Sequence, residues 1–285
     1  MSERVTNMSL SIIILTFNEE KNIEACLKSV CHFADEIFIV DSYSTDKTLE
    51  IVQHYTNNIH QHPFETHSKQ WKWALENLTL KTEWILGLDA DQIVTSELAD
   101  EIHTLLKSGN HSLCNGYYIK KRQYFLGKWI KHGGYYPKYL LKLFRREKVN
   151  VDENEAMDHH FYVTGKTGKL RNDFIEDNKN ETIDFWSKKH IHYASLQIEE
   201  ELFNQSESII NSSFFGNNDQ RRLAIKKIWI KSPLFLRTFL YFFYRYFILF
   251  GILDGREGLI FHFLQAFWYR FLVDAKIFEL KKLKA

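Results

Sequence analysis

Short apolar runs alternate with amphipathic stretches along the first part of the chain. The runs at 10–15, 36–40 and 84–88 are rich in Ile, Leu and Val, which is typical of strands buried on both faces of a sheet. A shorter run near Ile59 predicts one more strand. Capping residues and helical periodicity predict helices over 18–30, 44–55, 68–78 and 96–106. This alternation predicts an α/β fold with a mainly parallel central sheet, right-handed crossovers and flanking helices.

The pattern changes from about Gly116. Aromatic-rich segments at 117–129 and 139–144 predict strands that extend the sheet in mixed directions. A polar, acidic connection follows at 151–160, and helical patterns cover 183–202 and the C-terminal part, where two or three helices are expected. We therefore predict a first domain at 1–218, with halves at about 8–110 and 111–218, and an amphipathic helical tail at 219–285.

Two acids stand at the end of the apolar run that begins at Trp84. Asp89 and Asp91 are one residue apart, so on a strand their side chains point the same way. Crowded carboxylates repel each other unless a positive charge lies between them, and such oxygen ligands suit Mg²⁺ or Mn²⁺. These metals usually complete their coordination with water and phosphate oxygens. The plainer alternative is a strand that ends in a polar loop, with an Asp that caps the next helix.

Polar residues also follow the other predicted parallel strands. Asn18 comes after the first strand and Asp41 after the second, as Asp89 and Asp91 do after the strand from Trp84. Because ligands bind outside the carboxyl ends of the strands in open α/β sheets, we expect these residues to form one site. The sequence has neither a Gly-x-Gly-x-x-Gly motif nor a P-loop, which argues against a dinucleotide dehydrogenase and a P-loop enzyme.

The net charge of +1 hides an uneven distribution. Residues 219–285 hold 13 Lys and Arg against 5 Asp and Glu, and 17 of the 44 aromatic residues. A basic, aromatic tail favours peripheral contact with an anionic membrane over contact with nucleic acid. Three cysteines without a Cys-x-x-Cys motif fit a reducing compartment, and the N-terminal stretch is too short and polar for a signal peptide. We therefore expect a cytoplasmic protein that lies on the inner face of the cytoplasmic membrane.

Two arginines interrupt the apolar stretch at 234–250. At helical spacing Arg237, Tyr241, Tyr244 and Arg245 share one stripe. A spanning helix would bury the guanidinium groups at a cost, whereas a helix in the plane of the interface leaves them among lipid phosphates. We predict monotopic membrane association. The alternative is that the tail helices pack on the first domain or form a homo-oligomer interface.

Three segments together resemble the family 2 glycosyltransferases with the GT-A fold. They are 14–20 (ILTFNEE), 40–46 (VDSYSTD) and 89–91 (DAD), which stand in the family order at family-like spacings. The segments 141–146 (LKLFRR), 253–258 (LDGREG) and 267–275 (FWYRFLVDA) are similar to a narrower branch, the WaaE-type glycosyltransferases of lipopolysaccharide-core and polysaccharide assembly. The resemblance implies a Rossmann-like GT-A domain.

The resemblance also implies roles for the strand-end residues. The nucleotide pocket would be lined by Thr16, Asn18 and Glu19, Asp41 would contact the base or ribose, Asp89 would lie near the ribose, and Asp91 with Asp89 would hold Mg²⁺ or Mn²⁺. A divalent metal on the diphosphate would stabilise the leaving group as a Lewis acid. The family commonly has a further acid after the pair, where this chain has Gln92.

An inverting transferase needs a carboxylate that removes the proton from the acceptor hydroxyl. The acidic connection at 151–160 is the source that we predict, with Glu155 as the base, Asp158 as the second candidate and His159 as an orienting partner. The usual His-Glu step of the family is replaced here by Asp158-His159-His160. The alternative is a solvated acidic loop without a catalytic role.

The implied activity is a metal-dependent, inverting hexosyl transfer from a UDP-sugar to a lipid-linked saccharide in lipopolysaccharide or polysaccharide assembly. Two alternatives stay open at this point. One is a polyprenyl-phosphate sugar transferase, whose acceptor is a phosphate and needs less help from a base. The other is a nucleotide-sugar-binding protein without catalytic activity. Either of Arg145 and Arg146 could clamp a phosphate or form a plain strand-end charge pair.

Overall fold

The computed structural model of the chain describes residues 10–107, 113–152, 160–180, 182–202, 215, 224–225 and 228–283. Its contacts separate two compact units. The first unit comprises the residues up to Lys131 together with Tyr135–Thr182, and the second comprises His132–Gly134 together with the residues from Ile183 onward. The predicted boundary after residue 218 lies outside the described residues.

Four parallel strands form one half of the sheet in the first unit. They are β1 (Leu10–Thr16), β2 (Glu36–Asp41), β3 (Ile59–Gln61) and β4 (Trp84–Asp89), in the spatial order β3-β2-β1-β4. The helices of this half are α1 (Ile23–Val30), α2 (Thr48–Gln53), α3 (His67–Asn77) and α4 (Ser96–Lys107). Buried residues of α1, α2 and α4 pack on one face of the sheet and those of α3 on the other. All four strands and all four helices were predicted from the sequence.

The other half of the sheet is mixed in direction. It contains β5 (Gln92–Val94), β6 (Gly116–Phe125), β7 (Lys128–Trp129), β8 (Lys138–Arg145) and β11 (Thr167–Glu176). The order continues β4-β8-β6-β11-β5, where β8 is antiparallel to both of its neighbours and β6 is parallel to β11. A separate antiparallel pair consists of β9 (Val149–Val151) and β10 (Phe161–Val163).

The predicted single strand at 117–129 is two strands, β6 and β7, which form a hairpin. Leu126 and Gly127 separate them and both have a positive φ, at 49° and 77°. Strands β5, β9, β10 and β11 were not predicted. The sequence of β11 alternates poorly between polar and apolar positions, and its pairing with β6 shifts register between Lys169 and Asp173.

The centre of β4 is shaped by a glycine. A Cβ atom at Gly87 would lie 3.0 Å from the Trp71 ring and 3.2 Å from the Phe161 ring. Trp71 is fully buried, and its ring meets Phe161 edge to face with centroids 4.9 Å apart. The glycine therefore lets two large aromatic rings from α3 and β10 pack directly against the strand that carries the acid pair.

The second unit consists of helices. They are α5 (Ile183–Leu202), α6 (Leu236–Phe243), α7 (Gly255–His262) and α8 (Tyr269–Leu283). A π-helical turn at Tyr244–Ile248 continues α6, a 3₁₀ turn spans Gly251–Asp254, and a π-helical turn at Phe263–Trp268 joins α7 to α8. The helices predicted at 183–202 and in the tail are therefore present.

Arg237 does not face outward as we predicted, and Arg245 is only partly exposed. Arg237 is buried and donates to Asp274, from Nε at 2.7 Å, and to Glu201, from Nη2 at 3.2 Å. Arg245 is half-buried and donates to the Tyr241 hydroxyl at 2.8 Å. The expectation that the Arg237 guanidinium meets lipid phosphates is wrong, because helical periodicity shows which residues share a stripe but not which way the stripe points.

Candidate active site

The ends of β1, β2 and β4 bring the predicted residues to one edge of the sheet. Thr16 at the end of β1 pairs with Asp41 at the end of β2, and Leu15 pairs with Asp89 at the end of β4. Asp91 follows two residues after Asp89. Strand register therefore places Thr16, Asp41 and Asp89 side by side, as expected for parallel strands. Asp91 lies in the turn between β4 and β5, so the prediction that both acids stand on one strand is wrong.

Asp41 is fully buried and organises the loop that follows β2. Its Oδ1 accepts hydrogen bonds from the hydroxyls of Thr16, at 3.0 Å, and Ser44, at 2.5 Å. Its Oδ2 accepts from the Ser44 backbone N–H at 2.9 Å and from the Gln61 amide at 3.2 Å. A buried carboxylate requires such donors, so Asp41 holds the ends of β1 and β2 together. Its contact with a base or ribose stays a prediction.

Asn18 joins the loop after β1 to the loop after β2. Its φ of 55° places it in the left-handed region, which Asn tolerates better than most residues. Its backbone N–H donates to the Ser44 hydroxyl at 2.8 Å, and its side-chain oxygen accepts from the Thr45 N–H at 2.8 Å. Hydrogen bonds thus join the two loops into one rim of the site. The roles of Thr16 and Asn18 toward a nucleotide stay predictions.

A third segment, the loop after β11, contacts the same rim. The Asn180 amide donates to the Asn18 carbonyl at 3.1 Å and to the Glu19 carboxylate at 3.3 Å. Glu19 also accepts from the Asn22 amide at 2.6 Å, and Asn22 accepts from the Lys179 N–H at 2.8 Å. Sequence reasoning missed Asn180, because nothing in the pattern around it indicates that the loop after β11 reaches the loop after β1.

Asp89 lies in a chain of charged and polar side chains on the strands around it. Its Oδ2 accepts from the Lys142 ammonium at 3.1 Å and from the Gln92 amide at 2.7 Å, while the Gln92 side-chain oxygen accepts from the Asp89 N–H at 3.1 Å. The side chain of Lys142 is only 3% exposed. The position of the Asp89 carboxylate is therefore fixed by a buried cation and by Gln92, the residue that stands where the family commonly has an acid.

A β-bulge directs Lys142 toward Asp89. Across β6 and β8, Tyr117 pairs with Leu143 and Tyr118 pairs with Leu141, so Lys142 is the extra residue in β8. A bulge changes the direction of the extra side chain and is common beside active sites. Lys142 was not identified as a site residue from the sequence. The available signal was a lone lysine within the apolar run at 140–144.

The same chain of contacts continues across the sheet to β6. The Gln92 amide donates to Glu176 at 3.1 Å, and the Lys121 ammonium donates to the other Glu176 oxygen at 2.6 Å. Burial alone would raise the pKa of the Glu176 carboxyl, but the charge and hydrogen bond of Lys121 bring that pKa below its ordinary value. Five strands thus contribute one residue each to a network of two lysines, two acids and one amide.

The acid pair gives this edge of the sheet a negative charge, which acts on the nearby Cys26 thiol. Burial raises the pKa of the Cys26 thiol, and the charges of Asp91 and Asp89 raise it further. Within the described parts of the chain, no group of three or more His, Cys, Asp or Glu side chains could hold a metal ion by itself. The carboxylates of Asp89 and half-buried Asp91 are of the donor type that suits Mg²⁺ or Mn²⁺ with its other ligands from a diphosphate and water, and their role as metal ligands stays a prediction.

The candidate bases lie outside the described residues, since these omit 153–159 and with them Glu155, Asp158 and His159. The flanking strands β9 and β10 are described.

Arg145 and Arg146 lie at the start of β4, at the opposite end from the acid pair. Arg145 pairs with Glu83 and lies 4.9 Å from the Trp84 ring centroid, and Arg146 donates to the Leu80 carbonyl. Of the two interpretations, the strand-end charge pair is observed for Arg145, while Arg146 binds a backbone carbonyl.

We expect the replacement of Lys142 by Met to lower turnover of a sugar donor by roughly two orders of magnitude. Without the lysine the Asp89 carboxylate loses its anchor, and a displacement of about 1 Å at an active site can lower the rate by that factor. Lys120→Met is the matched control. Lys120 forms a comparable ion pair with Asp173, at 3.1 Å, on the neighbouring strand. Steady-state rates and urea unfolding of both variants are the measurements. If both variants lose stability equally and neither loses turnover, Lys142 has no role at the site.

Comparison with known proteins identifies the family of this chain. A family model described as glycosyl transferase family 2 matches residues 11–172. An uncharacterized glycosyltransferase of Rickettsia bellii is 28% identical over 98% of this chain and 89% of its own length. The lipopolysaccharide core biosynthesis glycosyltransferase LpsC of Rhizobium meliloti is 25% identical over 99% of this chain and 96% of its own length.

Solved structures include similar chains. Staphylococcus aureus TarS, residues 1–349 in complex with UDP, has a TM-score of 0.43 at 17% identity and covers 94% of this chain and 91% of its own. Glucosyl-3-phosphoglycerate synthase from Mycobacterium tuberculosis, in complex with Mn²⁺ and UDP-glucose, has a TM-score of 0.43 at 14% identity, with 67% and 78% covered. The family model covers more than half of the chain, including β1 to β4, and the predicted GT-A fold is confirmed. The chain therefore belongs to glycosyl transferase family 2.

Proposed function

We propose that this glycosyltransferase transfers a sugar from a UDP-sugar to a lipid-linked saccharide. The observation that carries the proposal is the acid pair at and just after the end of β4. The pair lies beside the rim formed by the loops after β1 and β2, and Asp89 is bound by Lys142. Charge develops on the diphosphate when the sugar–phosphate bond breaks, so the site must stabilise an anion. Mg²⁺ or Mn²⁺ held by Asp91 and Asp89 would supply that stabilisation when bound.

The residues of the chain have separate tasks in this proposal. Thr16, Asn18 and Glu19 line the nucleotide pocket, and Asp41 holds the pocket wall while it contacts the base or ribose. Lys142 and Gln92 hold Asp89 in position. For inversion at the sugar carbon, Glu155, or else Asp158, removes the proton from the attacking hydroxyl.

The acceptor class rests on sequence similarity over the whole chain. The relative from Rhizobium meliloti acts, by its name, in lipopolysaccharide core biosynthesis, and the two proteins align over almost their full lengths. A saccharide attached to a lipid is the acceptor that such an assembly pathway provides. We therefore propose a lipid-linked saccharide, in lipopolysaccharide or polysaccharide assembly, as the acceptor of this chain as well.

Equilibrium binding of UDP tests the donor site. With isothermal titration calorimetry we expect Mn²⁺ to lower the dissociation constant of UDP at least about tenfold, equivalent to ~1.4 kcal/mol. UMP, which has no diphosphate, should respond little to Mn²⁺, and ADP and GDP should bind more weakly than UDP. Equal UDP affinity with Mn²⁺ and with a chelator would show that the acid pair does not hold a metal on the diphosphate.

A further inference from the structure

The outward side of α6 is apolar. The exposed side chains of α6 and of the π-helical turn that continues it recur at spacings of three and four residues. They form one stripe, made of Leu236, Phe239, Leu240, Phe243, Tyr244, Phe247 and Ile248. A surface helix of a water-soluble domain normally turns such a stripe toward the core.

The inward side of the same helix is polar. The Arg237 side chain is 2% exposed, and its partners Asp274 and Glu201 are 0% and 5% exposed. The Thr238 hydroxyl also donates to Asp274, at 3.0 Å. Ionisable groups that face the interior and pair with one another, beneath an apolar outer surface, are the arrangement of helices that lie in lipid.

The apolar surface continues around the bend after α6 and onto α7. Phe250, Ile252 and Leu253 at the bend are 61%, 48% and 64% exposed. Leu259, Ile260 and Phe263, on α7 and just after it, are exposed as well. The exposed apolar side chains from 236 to 263 are here called the apolar hairpin.

Asp254 and the Leu249 carbonyl at the bend have partners within the helical unit, while Arg256 at the start of α7 is exposed. The Gly133 N–H donates to the Leu249 carbonyl at 2.8 Å. Asp254 accepts from the His132 N–H at 3.0 Å and lies 2.7 Å from His132 Nδ1. In hydrocarbon every buried polar group needs such a partner, because no water is present to replace it. These contacts would satisfy the groups if the bend lay inside lipid.

We propose that the apolar hairpin inserts into one leaflet of a lipid bilayer. No single helix among the described residues is long and apolar enough to cross a membrane, whereas Leu236–Ile248 and Gly251–Leu283 together pass that test with a bend of 67°. At 1.5 Å per residue, the first arm is about 20 Å long, which is shorter than the ~30 Å hydrocarbon core of a bilayer. The geometry therefore suits one leaflet rather than a full crossing.

Lipid fits this surface better than a second protein chain does. Protein interfaces carry roughly one hydrogen bond per 100–200 Å², and within the stripe only Tyr244 has a polar side-chain atom. Exposed lysines stand near the outer ends of the two arms, Lys231 before the first and Lys281 and Lys282 late in the second, where anionic headgroups would attract them. The inference goes beyond the proposed donor chemistry and does not depend on it.

Vesicle flotation of the full chain tests the inference. The vesicles contain phosphatidylcholine and phosphatidylglycerol, and the test variant carries Phe239→Ser with Phe247→Ser. We expect each substitution to lower the partition coefficient about tenfold, and association of the unmodified chain to persist at ~1 M salt, where the Debye length is only about 3 Å. The control carries Leu113→Ser with Leu126→Asn, two exposed apolar residues of the first unit, and should partition like the unmodified chain.

Equal partitioning of the unmodified chain and the test variant would overturn the inference. So would a dimer in light scattering that the test variant converts to a monomer without a change in flotation, because the hairpin would then bind a second copy. Circular dichroism and UDP binding of each variant show that its fold and donor site are intact. If the unmodified chain binds UDP but does not insert, the membrane inference fails and the proposed function stands. If it inserts but does not bind UDP, the proposed function fails and the membrane inference stands.

Discussion

We expect Asp91→Asn to lower turnover of the sugar donor by about three orders of magnitude. This is the upper end of the loss caused by removing one group that stabilises a developing anion. Asn has nearly the size of Asp but no charge, so the chief protein ligand for a divalent metal is lost. The substitution leaves unchanged the Asp91 backbone carbonyl, which accepts from the Asp177 N–H in the loop after β11 at 3.1 Å, and circular dichroism checks that the fold is retained.

Two measurements separate this effect from a general loss of function. The metal concentration that gives half-maximal rate should rise at least about tenfold in Asp91→Asn, which corresponds to ~1.4 kcal/mol of lost metal binding. Asp100→Asn on α4 is the control, because Asp100 is an exposed acid of the same type and should leave both quantities unchanged. A normal rate in Asp91→Asn would refute the assignment of the acid pair.

Loss of the general base should have an effect of similar size. We expect Glu155→Gln to lower the rate of sugar transfer by about two to four orders of magnitude, the usual contribution of proton transfer by a positioned side chain. Binding of UDP should stay normal, since the base acts on the acceptor rather than on the nucleotide. Asp158→Asn should keep most of its activity if Glu155 is the base.

Glu153→Gln is the control for the base, because it removes the same charge from the same connection two residues earlier. The measurement is transfer of a radiolabelled sugar to extracted lipid acceptor under single-turnover conditions. The assignment is refuted for the whole connection if Glu155→Gln and Asp158→Asn both transfer sugar at nearly the normal rate.

The sequence predicted the elements whose environment is set by burial. Strands β1, β2 and β4 are covered on both faces, so their apolar runs are unbroken and easy to recognise. Helices between such strands follow from topology. The convergence of Thr16, Asp41 and Asp89 at one edge follows from the same rule, because parallel strands end on the same side of the sheet.

What the sequence did not predict depends on contacts between distant segments. Strand β11 pairs with β6 and β5, and its residue Glu176 pairs with Lys121 of β6; one sequence does not show such pairings. Lys142 reaches Asp89 because of a bulge, a local irregularity with no reliable sequence pattern. Tyr244, predicted to share a stripe with Arg237, is exposed, and the direction of Arg237 is decided by partners such as Asp274, 37 residues away.

The most direct test of the central claim is sugar transfer by the full chain. A panel of nucleotide sugars is incubated with Mn²⁺ and a total bacterial lipid extract, and both free nucleoside diphosphate and sugar in the lipid fraction are measured. We predict equimolar UDP release and lipid glycosylation from a UDP-sugar, abolished by chelator and in Asp91→Asn. Failure of every nucleotide sugar to yield diphosphate, or equal yields from unmodified chain and Asp91→Asn, would contradict it.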